Sequence, residues 1–253
     1  MSSADDKFAV RIGKNVSINV DNFTLGDGVL IRDNVVIEGP EVSIGDYTVI
    51  GSGVEISGRS PCLIGMSCWI GARTMIDSSG SVSIGNGVGL ATSSQLWTHM
   101  RFGDTLQGCR FEWNRDLVIE DDVYVGGNSL LGPIHAGRRS AALLGSVVTS
   151  DMYENRVYAG VPAVDITHKV GHHFSDVDVD TKFRTMVDKL EEFKAQRPGI
   201  QDIEIVKDWP NEKNPNVSYF NVSTREYTKR LTPSEVDFML FLLTPIKFYP
   251  AKQ

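Results

Sequence analysis

Aliphatic residues return at close to every sixth place along most of this chain. They stand at Ile12, then Leu25, Ile31, Ile37, Ile44, Ile50 and Ile56, then Ile64, Ile70, Ile76, Ile84, Leu90 and Leu96, and again at Ile119, Val125 and Leu131. Around them recurs one phrase, as in "LGDGVL", "IRDNVV", "IGDYTV", "IGSGVE" and "IGNGVG". A fixed short period outranks any local helix or strand preference, because a single structural unit is being repeated. In a strand, a residue and the one two places before it point the same way. The aliphatic residue and the small residue two places earlier therefore face inward, and the residue between them faces water. Gly, Asn and Asp supply tight turns and the positive φ those turns need. Three strands and three turns close a triangular coil, and stacked coils bury one apolar column, each bonded to its neighbour. Longer steps, Ile18 to Leu25 and Ile76 to Ile84, predict small bulges at corners. The rhythm holds over too many units to be the chance periodicity of a β-sandwich.

The rhythm fails once inside the repeat. It is lost at Trp97 and returns at Ile119, within "LATSSQLWTHMRFGDTLQGCRFEWNRDLVIEDDVYVGG". Flanking strands that stay in register must extrude the surplus as a loop, about 97–117, and loops of that length in compact domains are commonly functional. This one carries Trp97, Phe102, Phe111 and Trp113 interleaved with Arg101, Arg110, Arg115, Asp104 and Glu112. At its base stands His99, the first histidine in the chain.

Composition narrows the chemistry. The formal net charge of the 253 residues is −7. That leaves no global field to attract nucleic acid or anionic lipid. Cys62, Cys68 and Cys109 form neither a disulfide framework nor a zinc spacing. The opening "MSSADDKFAV" lacks the basic and apolar regions of a secretory leader, and "VDFMLFLLTPI" is too short to span a bilayer. A soluble cytoplasmic protein is expected. The run "HKVGHH" (His168, His172, His173) raises a metal site, but Gly171 interrupts any regular helix there, and no metal is expected.

The repeat resembles the hexapeptide-repeat proteins that fold as a left-handed parallel β-helix, over roughly Ile12 to Lys169. Within them it is similar to the galactoside, maltose and xenobiotic acetyltransferases. "VSIGNGVGLATSSQLWTH" resembles the segment in which their histidine lies just past a hexad. "LVIEDDVYVGG" is similar to their "IG.(N/D)VWIG" coil, with Tyr124 where Trp is usual. "LLGSVVTSDMYENRVYAGVPAVDI" resembles their ending. The resemblance implies acyl transfer from acetyl-CoA to a hydroxyl or amino group of a sugar or other small polar acceptor, in a homotrimer with CoA between neighbouring coils. A thioester is already activated. What it still needs is a base for the acceptor's proton and a donor for the oxyanion. An imidazole titrates near working pH, so His99 is expected as the base, without a covalent intermediate. A backbone N–H at Gly126–Gly127 suits the oxyanion.

Carried over by position, the CoA groove would be lined by Gly127, Leu144, Thr149 and Ser150, with Lys169 toward the nucleotide phosphates. Ser150 and Val164 stand where the family often has basic residues, so Arg138, Arg139 or Arg156 are the alternative phosphate contacts. Asp77, Trp97 and Arg101 are expected around the acceptor, and Asp77, Asp104 or Glu112 could hold the imidazole. For Asp77 a corner cap is the plainer expectation. A non-catalytic β-helix scaffold is the competing function. A carbonic-anhydrase-like metal site lacks converging histidines, and a nucleotidyltransferase lacks a preceding nucleotide-binding domain.

The expected domains are 1–169, the β-helix, and 170–253, a small α+β module. In the second, Asp178 to Gln196 has helical spacing of apolar residues, "DIEIVKDW" and "NVSYFNVSTREYTK" alternate like strands, and "TPSEVDFMLFLL" opens with the signals of a helix start.

Overall fold

The computed structural model describes residues 8–251, so most of the opening "MSSADDKFAV" lies outside the described residues. The chain forms two compact units, the first ending at Phe174 and the second beginning at Ser175. The first is a left-handed parallel β-helix with one extruded loop.

Its three columns follow the repeat. Face one stacks Ile12, Ile31, Ile50, Ile70, Leu90, Val125 and Ala142 in parallel register. Face two stacks Ile18, Ile37, Ile56, Ile76, Leu96, Leu131 and Val148. Face three stacks Leu25, Ile44, Ile64, Ile84, Ile119 and Ala136. The central aliphatics, Ile31, Ile50, Ile56, Ile70 and Ile76, have no exposed surface, and the residues two places before them, Val29, Thr48, Val54, Cys68 and Thr74, are equally buried. Hydroxyls at that second position mostly bond a coil carbonyl, as Thr48 to Gly65 at 2.8 Å and Ser146 to Leu143 at 2.6 Å, with Ser140 the exception. This satisfaction makes a hydroxyl tolerable inside the column.

The three corners differ. Between faces one and two, and between faces three and one, six residues separate the inward aliphatics, and one of them adopts a left-handed conformation. Asn34, Arg73, Ser93 and Asn128 do so at the first of these corners, and Tyr47, Ser67, Asp122 and Asn155 at the second. The corner between faces two and three has no such turn. In the first coils the chain runs through it as single nine-residue strands, Ser17–Leu25 and Val36–Ile44. Later coils bulge there, with eight residues from Ile56 to Ile64 and from Ile76 to Ile84. Of the two bulges expected from the spacing, that from Ile76 to Ile84 is present, whereas Ile18 to Leu25 is an unbroken strand; both lie at one edge of the prism, and the loop leaves the prism at that edge. Coils before the loop recur at 19 or 20 residues and those after it at 16 or 17, whereas Asn86 meets its partner Asp121 at a separation of 35.

The exit from the helix is a latch. The Asn155 side chain accepts from the Phe174 N–H at 2.7 Å and donates to the Phe174 carbonyl at 3.0 Å, which holds residues up to 174 on the prism.

In the second unit, helix Val179–Gln196 is capped by Asp178 and buries Met186, Leu190 and Phe193. Strands Ile203–Val206, Ser218–Asn221, Glu226–Tyr227 and Tyr249–Pro250 form one mixed sheet. Phe193, Phe220, Phe238 and Phe248 meet edge to face or tilted at 5.0–5.2 Å between ring centres. Helix Pro233–Leu242 starts at Thr232, whose hydroxyl accepts from the Glu235 N–H. The Glu235 carboxylate reaches back to the N–H groups of Arg230 and Leu231 rather than to Thr232, because the chain reverses at Leu231, where φ is +60°. Among the described residues, no helix is long and apolar enough to cross a membrane.

Candidate active site

The extruded segment is a β-ribbon. His99–Met100 pairs antiparallel with Trp113–Asn114, and its tip is a short turn capped by Asp104, which accepts from the N–H groups of Leu106 and Gln107. Both legs are tied to the coil before them, at "DSSGS". Asn114 donates to the Ser79 carbonyl at 2.9 Å, Asp116 accepts from the Ser81 N–H at 3.0 Å, and the Gly80 N–H donates to the Thr98 hydroxyl at 2.9 Å. Gly80 has no alternative here. A Cβ on it would lie 2.3 Å from the Arg115 carbonyl oxygen.

Asp77 lies beneath this base. Its Oδ1 accepts from the N–H and hydroxyl of Ser79, at 3.1 and 2.7 Å. Its Oδ2 accepts from the Thr98 N–H and hydroxyl, both at 2.8 Å, and faces His99 Nδ1 at 2.7 Å. Burial pushes this carboxyl up, but the hydrogen bonds from His99, Ser79 and Thr98 outweigh it and bring it down to about 2. An ionised carboxylate only accepts, so the His99 proton sits on Nδ1 and the neutral ring presents a lone pair at Nε2. Nε2 has no hydrogen-bond partner among the described residues, and a third of the side chain is exposed.

Among the three carboxylates that could hold the ring, Asp77 is the one the structure brings to it. Asp104 is spent on the ribbon tip, and Glu112 pairs with Arg101 across the ribbon at 3.4 Å. Asp77 was expected against the acceptor, but it is 6 % exposed and its oxygens are saturated from within. It caps the corner at Ser79 as well, so one side chain makes both the corner cap and the contact to the ring. Trp97 lies beside His99, ring centres 6.3 Å apart, with its indole N–H held by Gln95 at 3.1 Å. Arg101 is mostly exposed on the ribbon. Gln95, Ser79 and Thr98 were not foreseen. "SSQLWTH" places Gln95 two residues before Trp97, on the same side of the strand, which is the one signal that could have found it.

The residues expected to line the CoA groove divide between two edges. Gly127 and Leu144 share the corner between faces one and two, where a Cβ on Gly127 would sit 3.5 Å from Leu144 Cδ2 and 3.0 Å from the Thr92 carbonyl. Gly126 donates its N–H to Ala142, so of the two glycines it is Gly127 whose N–H has no bond to another described residue. Thr149 and Ser150 are exposed on the His99 edge, two coils beyond Trp97. Lys169 is exposed on the short helix Thr167–Val170. A single chain does not bring His99 and Gly127 together. The alternative phosphate contacts are engaged: Arg156 pairs with Asp165 at 3.0 Å, Arg138 with Glu154 at 3.7 Å, and Arg139 lies over the Phe174 ring. His172 and His173 direct Nδ1 at the carbonyls of Asn155 and Arg139, so this pair belongs to the exit latch. Among the described residues, no group of three or more His, Cys, Asp or Glu converges as a metal site.

No family model matches the chain. Solved structures similar to it include the polysialic-acid-specific acetyltransferase NeuO, at 22 % identity and TM-score 0.43, covering 74 % of this chain and 99 % of that one. The polysialic acid O-acetyltransferase OatWY is similar at 18 % identity and TM-score 0.45, covering 67 % and 92 %. A variant of the N-acyltransferase AntD from Bacillus cereus, in complex with CoA and dTDP-4-amino-4,6-dideoxyglucose, is similar at 18 % identity and TM-score 0.42, covering 76 % and 93 %. These values are too low to transfer a role to any residue, and the functional reading stands on the geometry above.

Proposed function

We propose that the protein is an acyltransferase that moves the acetyl group of acetyl-CoA to a hydroxyl or amino group of a sugar or similar polar acceptor, with His99 as general base. The observation that carries this is the Asp77–His99 pair at the foot of the ribbon. It fixes one tautomer and leaves Nε2 open to a ligand, which is the arrangement a base needs. The acceptor's oxygen or nitrogen attacks the thioester carbonyl while Nε2 takes its proton. The tetrahedral oxyanion is met by a backbone N–H, for which Gly127 is the available donor. Collapse breaks the carbon–sulfur bond, and the imidazolium returns its proton to the leaving thiolate. Trp97 offers the acceptor a flat apolar wall, with Arg101 above it on the ribbon.

Because His99 and the Gly127–Leu144 groove occupy different edges of one prism, base and thioester meet only where two prisms abut. This favours a homotrimer in which each site is shared between neighbours. Gly127, Leu144, Thr149, Ser150 and Lys169 are then proposed for CoA, the last toward its phosphates. The test is thiol release from acetyl-CoA against a panel of sugars, amino sugars and nucleotide-sugars. Acceptor-dependent release that His99→Ala abolishes is the expected result. No release with any acceptor, together with no thermal stabilisation by millimolar acetyl-CoA, would overturn the reading in favour of a scaffold.

A further inference from the structure

We propose that Thr98 is a positioning residue that fixes the imidazole through Asp77, a role that rests on His99 being the base. Thr98 is fully buried, and each of its polar groups is committed at the foot of the ribbon. Its N–H donates to Asp77 Oδ2 at 2.8 Å, and its carbonyl accepts from the Arg115 N–H at 2.9 Å. Its hydroxyl oxygen accepts from the Gly80 N–H at 2.9 Å. That amide occupies one side of the oxygen and turns the single hydroxyl proton toward Asp77, whose Oδ2 lies at 2.8 Å and whose carbonyl lies at 3.0 Å. The result is a directed chain, Gly80 N–H to Thr98 O–H to Asp77 Oδ2, the oxygen that also accepts from His99 Nδ1–H. Linked bonds of this kind polarise one another in a buried setting.

The consequence is specific to one carboxylate oxygen. Ser79 serves Oδ1, the side away from the imidazole, whereas Thr98 and His99 share Oδ2. Thr98 therefore determines where the Oδ2 lone pair points and, with it, which ring nitrogen carries the proton. It also ties the outgoing leg of the ribbon to Arg115 on the returning leg. Closure of the ribbon base and orientation of the imidazole are set by the same residue.

The experiment uses the full chain with 15N-labelled histidine. In the wild-type protein the His99 spectrum should show the Nδ1–H tautomer, and the Thr98 hydroxyl proton should exchange slowly and lie close in space to the His99 Nδ1 proton. Thr98→Val should mix the tautomers and lower kcat for acetyl-CoA hydrolysis, with water as acceptor, by about tenfold at unchanged KM. That is a fraction of the 10²–10⁴ a general base supplies, as a rough scale. Thr98→Ser should restore the tautomer and bring kcat to within about twofold, a rescue still rooted in the base's share. Ser79→Ala should leave the tautomer as in the wild type. An unchanged tautomer in Thr98→Val, a kcat loss that Thr98→Ser does not repair, or a freely exchanging wild-type hydroxyl each overturns the proposal. The exchange measurement holds even if Thr98→Val does not fold. If His99→Ala abolishes hydrolysis while Thr98→Val changes nothing, only the Thr98 role falls; if His99→Ala hydrolyses normally, the base reading falls and takes this role with it.

Discussion

The tight corners and the loose corner of this prism are made from one six-residue phrase, yet they do different work. At a tight corner, the turn residue takes a left-handed conformation in coil after coil, including residues as unsuited to it as Arg73 and Tyr47. Stacking decides the geometry there and overrides the side chain. At the corner between faces two and three, no such turn exists, and the path ranges from an unbroken strand through Pro40 to the ribbon that carries His99. Parallel pairing on the flanking faces holds the register, so this edge alone can lengthen without disturbing the column. The proposed catalytic apparatus thus lies where the repeat can be lengthened, carried by the stacked coils on either side.

The sharpest way to break the comparison is to remove what the loose corner presents. His99→Ala should reduce acetyl-CoA turnover by about 10²–10⁴-fold while CoA binding and the melting temperature stay unchanged, as expected for a group on a pre-formed base. Turnover at the wild-type rate would mean that the ribbon serves another purpose. Asp77→Asn should cost turnover nearly as much, about 10²-fold, because an amide can donate to Nδ1 and so admit the wrong tautomer.

The next test compares the corners directly. Two residues inserted after Asp33, at a tight corner, should destabilise the protein by several kcal/mol, since the left-handed turn and its stack on Asn15 are both lost. The same insertion after Ser79 would disturb the site. The matched control is therefore an insertion after Arg59, where the corner already bulges, and it should cost under about 1 kcal/mol. Equal losses in urea titrations would show that the edges are equally constrained. At the tight edge, Gly127→Val should raise the KM for acetyl-CoA about tenfold or more, its branched side chain pressing on the Thr92 carbonyl and Leu144. A normal KM would separate that groove from the thioester.

Much of this contrast was legible in the sequence. Columns follow from the aliphatic spacing, because strand alternation leaves one choice of inward face, and the ribbon follows from the gap between Leu96 and Ile119. His99 stood out because it sits at that gap. What spacing does not reveal is which corner a bulge belongs to, since that depends on counting coils through the break. For the same reason, spacing does not show that Gly127 and His99 lie on separate edges of one prism. Asp77 was readable as a cap and as one of three candidates for the ring's partner, but spacing could not choose it: 22 residues separate it from His99, and only the closed coil makes them adjacent. The part played by His172 and His173 was not legible, because their partners, the backbone carbonyls of Asn155 and Arg139, carry no side-chain signature.

The smallest expected effect is thermodynamic and isolates the Asp77 pair from the chemistry. The Asp77 carboxyl titrates near 3.9 when unfolded and at about 2 in the folded protein. A depressed carboxylate contributes stability that is fully present above the unfolded value and is lost as pH falls through the folded one. A depression of that size on this buried group corresponds to about 2–3 kcal/mol, most of it lost below pH 4. Other acids are also held low, among them Asp116, Glu120, Asp165 and Asp178 at the surface, and they would blur a single pH curve. Their contributions cancel when Asp77→Asn is subtracted from the wild type at each pH. The stability difference from urea titrations should hold steady between pH 7 and 5, then shrink by about 2 kcal/mol as pH falls from about 4 toward 2. A difference that stays flat across that range would mean that the carboxylate under His99 is not held as an anion, and the single-tautomer base would lose its physical cause.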